Sequence, residues 1–169
     1  KGIDPALEPN VTDIKRTMLR GGVEALVPKS EEEAPGILIG RNLADQLGVD
    51  VGGSATLVTP QGTLSPMGMI PRSRRVRIAG IYQLGLYEFD AAYGFVSLDF
   101  SMRLMGKAAP DLIQLRVADM DRAGEISERV VGELGSSYVS QDWTDMNQQL
   151  FSALWLEKMA ISITIGLIV

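Results

Sequence analysis

Apolar and polar positions along the chain alternate in short blocks that end at glycines. An extended Gly2-Ile3-Asp4-Pro5 segment leads to a predicted short helix over roughly residues 11–19, capped by Asn10 and stopped by Gly21-Gly22. Ile37, Leu38 and Ile39 predict a strand, and Leu43 and Leu47, four apart, predict a helix that Gly48 ends. Residues 54–59 (SATLVT) and 74–82 (RRVRIAGIY) read as two strands, with Val76, Ile78 and Gly80 on one face of the second and Arg75 and Arg77 on the other. They predict the arms of a long hairpin, with the segment up to about Pro71 as its loop. Residues 93–97 (YGFVS) predict a strand and 98–105 (LDFSMRLM) a helix stopped by Gly106. The pattern then changes to strand, helix, strand. Residues 112–117 and 137–141 are the strands, and 121–134, with Ile126, Val130 and Leu134 on one face, is the helix. So small a unit needs further strands to pack with, expected upstream of Lys1. A long helix runs from about Thr144 into the apolar C-terminus.

Composition narrows the chemistry. The 169 residues are 46% hydrophobic and 22% charged, with a net charge of −5, which is the balance of a globular, acidic chain rather than a general nucleic-acid binder. The absence of cysteine and histidine removes thiol catalysis, disulfides, zinc-thiolate sites and the usual general base. Asp90, Asp99 and Asp111 fall on different elements with no nucleophile setting beside them. The three glutamates at 31–33 read as a solvated turn, since nothing nearby supplies further metal ligands. Asn10-Val11-Thr12 fits the glycosylation pattern, although a helix cap is the simpler use of Asn10. Gly36 and Gly40 lack the remaining glycine and basic residue of a phosphate loop. The last eleven residues carry no charge, fewer than the ~20 needed to cross a bilayer. A core helix is one reading of that run. Trp155 and Lys158 just before it favour the other, a truncated membrane helix with interfacial anchors.

The segment SPMGMIPRSRR, residues 65–75, is the feature that an ordinary connection does not require. Pro60, Pro66 and Pro71 restrict its freedom and make a fixed projecting shape cheaper in entropy. Met67 and Met69 around Gly68, followed by Ile70, form an adaptable apolar tip. The arginines at its base offer forked hydrogen bonds to carboxylates of an acidic partner. An apolar tip ringed by guanidinium groups has the layout of a docking element.

Four stretches, ILIGRNLADQLGVDVGG, LSPMGMIPRSRRVRIAGIY, AYGFVSLDFSMRLMG and DW…LFSALWLEKMAISITIGLIV, together resemble the LolC/LolE family of lipoprotein-releasing ABC transporter permeases, in order and over essentially the whole chain. The resemblance implies an α+β, MacB-like periplasmic domain of two lobes between transmembrane helices of a bacterial inner-membrane protein. Residues 1–108 correspond to a strand-rich inserted lobe with a hook hairpin at 60–75. Residues 109–142 correspond to the second half of a membrane-proximal lobe, and 143–169 to a helix entering the membrane. The hook-bearing type, LolC-like or LolF-like, captures a periplasmic lipoprotein chaperone. The corresponding chaperone-binding positions here are Pro60, Pro66, Met67, Gly68, Met69, Ile70, Pro71 and Arg74. Thr56 stands where hook-bearing relatives can carry another arginine on the arm. The implied partners are that chaperone, a second permease subunit in a homo- or heterodimer, a cytoplasmic ABC ATPase, an acylated lipoprotein and the membrane, with no nucleic acid. The implied subunit is non-catalytic and holds no cofactor, ATP and Mg being used by the ATPase. A MacB-like efflux permease and an FtsX-like signalling permease that activates a cell-wall hydrolase share the general layout. Trp143 and Phe151 read as packing residues before substrate contacts.

Overall fold

The computed structural model describes all residues except Glu31, Pro66, Met67 and Val169. The chain is α+β and forms two compact units, Lys1–Arg116 and Val117–Val169.

In the first unit, β1 (Gly2–Ile3) is followed by α1 (Glu8–Val11), a 3-10 turn at Ile14–Thr17, β2 (Met18–Gly21) and a second 3-10 turn at Val23–Leu26. Then come β3 (Gly36–Gly40), α2 (Arg41–Leu47), β4 (Ser54–Ser65), β5 (Gly68–Tyr82), α3 (Tyr87–Ala92), β6 (Gly94–Ser97) and α4 (Leu98–Met105). The strands form one mixed sheet in the order β1-β6-β3-β5-β2, with β4 also paired to β5. β3 runs parallel to β5 and antiparallel to β6, and all five of its residues are buried, as a strand covered on both faces requires.

Alternation along β3 separates the core into two layers. Ile37 and Ile39 join Ala44 of α2, Val76, Ile78, Ile81, Val96, and Phe100 and Leu104 of α4. Leu38 faces the other way, with Ile3, Ile14, Val23, Leu26, Ala79 and Tyr82. The register slips between Ile37 and Leu38, whose partners on β5 are Ile78 and Gly80. The slip places Ile78 and Ile81 on one face, and Gly80 lies against Met18 and Leu38 on the opposite one. The expectation that Gly80 continues the face of Val76 and Ile78 therefore fails, because strict alternation does not survive a bulge.

Gly48 and Gly106 end α2 and α4 as expected, in left-handed conformations with φ of 63° and 68°. The predicted helix over 11–19 is instead α1, a 3-10 turn and β2. Asn10 lies inside α1, and the chain becomes extended at Met18 because the edge of β5 offers it backbone partners.

Residues 112–117 and 137–141 are not in strands. Leu112, Ile113, Leu115 and Val139 are exposed, and no neighbouring strand is present among the described residues to satisfy an extended backbone there. Residues 112–116 stay on the first unit through Lys1 Nζ donating to Gln114 Oε1 at 2.8 Å and through Arg116 facing Asp13 at 3.6 Å.

The second unit holds α5 (Ala123–Leu134), α6 (Trp143–Met146) and α7 (Gln148–Ile168). Asp142 caps α6 in a reciprocal capping box with Asp145. Trp143 Nε1 donates to the Met120 carbonyl at 2.9 Å, and its ring meets Phe151 edge-on with centroids 5.2 Å apart. Within α7, Ser162 and Thr164 return their hydroxyls to the carbonyls of Lys158 and Ala160. Among the described residues no helix is long and apolar enough to cross a membrane.

Asp90 is 3% exposed and its carboxylate accepts from the backbone N–H of Leu84 and Gly85 at 2.8 and 3.0 Å. Tyr82 donates its hydroxyl to the Tyr93 carbonyl at 2.9 Å. Burial, with the Asp90 charge as a second cause, pushes the Tyr82 phenol up to about 12. An unfolded tyrosine loses its proton near pH ~10, so between about pH 10 and 12 the native state holds more protons than the unfolded one and stability falls as pH rises. The urea midpoint is expected to drop further between about pH 9 and 11 in the parent than in Tyr82→Phe. Equal drops would show that this phenol does not report folding.

Candidate docking hairpin

β4 and β5 pair from Ser54↔Arg77 to Ser65↔Gly68, so the hairpin arms run nine residue steps past Arg77, about 30 Å at strand rise. The strands continue through much of the stretch expected to be loop. Pro60 is accommodated at an irregularity where β4 carries two more residues than β5 between Thr59 and Gly62, and Pro71 is the partner of Gly62 at its far side. At Gly62 a Cβ would lie 1.9 Å from the Ile70 carbonyl oxygen, so close approach of the two arms there requires glycine.

The anticipated docking positions divide by place. Pro60 is exposed in the irregularity. Pro66 and Met67 lie outside the described residues. Gly68, with φ of 117°, begins β5, followed by Met69 opposite Leu64 and Ile70 opposite Thr63. Ile70 is 59% exposed, and Pro71 and Arg74 are exposed too. Arg72 and Arg74 alternate on one face of the stem, and Ile70 lies two residues further on, past the irregularity. Val58, opposite Ser73, is exposed on the other.

The four arginines do different work, which their clustering in sequence does not reveal. Arg77 belongs to the body. Its Nη2 meets Glu33 Oε1 at 2.9 Å and the Ala25 carbonyl at 3.1 Å, while its buried Nε has no partner among the described residues. Arg75 Nη2 donates to Ser54 Oγ at 3.0 Å. Arg72 reaches the Leu104 carbonyl at 3.4 Å. Arg74 contacts only the adjacent Ser73 carbonyl, at 3.2 Å, among the described residues. Arg72, Arg74 and Arg75 are exposed and meet no carboxylate among the described residues, and Arg74 differs in that its hydrogen bond goes only to its chain neighbour. The glutamate turn has a structural use that the sequence did not show, since Glu33 also accepts from the Lys29 N–H at 2.7 Å.

A groove of about 400 Å³ lies between β2 and α2, lined by Leu19, Arg20, Arg41, Asp45, Asp50 and Ile81 among others. Its charges are paired with one another, Arg20 with Asp50 and Arg41 with Asp45.

Arg77→Met is expected to lower stability by roughly 1–3 kcal/mol, because a half-buried carboxylate and a carbonyl lose their donor, whereas Arg74→Met stays within about 0.5 kcal/mol of the parent. Urea unfolding of the two variants checks the division. Equal effects would contradict it.

No family model matches the chain. Curated proteins do. Two named "Lipoprotein-releasing system transmembrane protein LolC", from two strains of Xylella fastidiosa, are each 30% identical over 169 residues. A protein of the same name from Neisseria meningitidis is 29% identical over 172 residues. Each comparison covers 100% of this chain, which spans about 40% of the length of those relatives. Over its whole length, the chain is similar to a segment of these LolC proteins.

Proposed function

We propose that this chain is the periplasmic part of an inner-membrane ABC transporter permease that releases lipoproteins and passes them to a chaperone docked on the β4–β5 hairpin. The observation that carries the docking role is that Ile70 and Arg74 are both exposed on an arm that extends from the sheet, Arg74 meeting no carboxylate among the described residues. An apolar anchor and a guanidinium free of carboxylates, four residues or about 13 Å apart along the strand, suit a partner with an apolar pocket and carboxylates at its rim. Pro66 and Met67 would belong to the same contact.

In this reading the chain is non-catalytic. ATP and Mg serve a separate cytoplasmic ATPase subunit, and a second permease subunit completes the membrane assembly. Burying an acyl chain is worth about 0.8 kcal/mol per CH₂, so lifting a lipid anchor from a bilayer needs both an energy source and a waiting apolar receptor. Holding that receptor at the exit raises its local concentration where the anchor emerges. α7 would carry motion between the membrane and this domain.

Binding of the purified periplasmic chaperone to the parent and to Ile70→Asp with Arg74→Glu tests the reading. The double variant is expected to bind at least about tenfold more weakly while its circular dichroism is unchanged, as loss of a central anchor and its charge partner predicts. Equal affinity would remove the hairpin as the docking element and leave the efflux and signalling alternatives.

A further inference from the structure

The hairpin stem packs on the core through Ala55 and Leu57, and one step further out it makes polar contacts with the end of α4. Thr59 and Arg72 are register partners across the two arms, and both meet the C-terminal end of α4. Thr59 is 5% exposed and its Oγ1 donates to Met105 Sδ at 3.6 Å. Arg72 Nη1 donates to the Leu104 carbonyl at 3.4 Å. That carbonyl lies in the last turn of α4. Gly106 N–H and Lys107 N–H return to Arg103 and Met102, the two preceding carbonyls. A guanidinium there meets both a carbonyl in need of a donor and the negative end of the helix. At Gly106, a Cβ would come 3.1 Å from Arg72 Nη1, so the helix stop also leaves room for the guanidinium.

Immediately beyond this level come the two extra residues of β4, Pro60 and Gln61, and then the distal arms, Gly62–Ser65 and Gly68–Pro71. An irregularity of this kind re-aims a strand, and its direction is defined only if the stem below it is fixed.

We propose that Arg72 is a positioning residue: with Thr59 it clamps the hairpin stem to the C-terminal end of α4 and so sets the angle at which the distal arms leave the body. Arg72 then differs in role from Arg74, two residues along the same face, whose hydrogen bond goes to the adjacent Ser73 carbonyl and not to the body. The clamp itself requires no partner. Its consequence for docking rests on the function proposed above: a tip that wanders is competent for a fraction of the time, and apparent affinity falls by that fraction.

The full chain has no cysteine, so two spin labels can be placed without removing any native residue of that type. Ile70→Cys on the distal arm and Gln46→Cys on the exposed side of α2 give a distance that reports the angle by pulsed electron resonance. In the parent the distribution is expected to be narrow. In Arg72→Met, which keeps much of the side-chain length but has no donor or charge, it is expected to widen about twofold or shift, as a stem freed from its contact allows. Arg72→Lys is expected to recover much of the narrow distribution, and Arg74→Met to leave it unchanged. A parent distribution as wide as that of Arg72→Met, or an equal widening in Arg74→Met, would overturn the clamp. Circular dichroism verifies folding of each variant, and Thr59→Val provides an independent release of the clamp if Arg72→Met does not fold. Because the readout involves no chaperone, failure of the clamp and failure of the docking reading are told apart.

Discussion

The structure depends on β5 serving two purposes along a single run of backbone. From Arg77 to Tyr82 it lies within the sheet, hydrogen-bonded to β3 on one side and to β2 and the chain before β4 on the other. From Gly68 to Arg77 its pairing is with β4, and the same strand becomes one arm of the hairpin. A two-stranded ribbon is marginal on its own in water. Here it inherits order from a buried strand, because Val76 and Ile78 are fixed in the core only a few residues from Arg74 and Ile70. Displacing the arm near its root would disturb sheet hydrogen bonds and core packing together.

That continuity divides the labour among groups that look alike in sequence. Arg77 holds the Glu33 turn over the start of β3, Arg72 meets the end of α4, and Arg74 hydrogen-bonds only to Ser73 beside it among the described residues. The division follows from distance to the core and from the strand's period of two. On an acidic chain, exposed guanidinium groups along the same arm as an exposed isoleucine are a local signal, suited to a partner of complementary charge.

Much of the body was legible because its elements follow local rules. Ile37–Ile39 is a short continuous apolar run, and Gly48 and Gly106 stop their helices by adopting conformations other residues avoid. The errors share a cause, which is that partners distant in sequence decide the outcome. Residues 11–19 carry helical spacing, yet the edge of β5 recruits Met18–Gly21 into a strand. The slip at Ile37–Leu38 reverses Gly80's face, and no periodicity announces a bulge. Leu112, Ile113 and Leu115 read as a strand but have no strand beside them among the described residues. In the hairpin, the prolines and the apolar-basic composition were visible. The Thr59–Met105 and Arg72–Leu104 contacts were not, since each spans more than 30 residues of sequence.

The central claim, that a strand rooted in the core carries a docking tip, is tested most directly by amide hydrogen exchange on the chain with and without the chaperone. The account predicts that slowing on complex formation is concentrated in the distal arms, Gly62–Ser65 and Gly68–Arg74, with the sheet portion of β5 already protected in the free chain. Protection centred on the groove between β2 and α2, or a root as fast-exchanging as the tip before the partner is added, would contradict it.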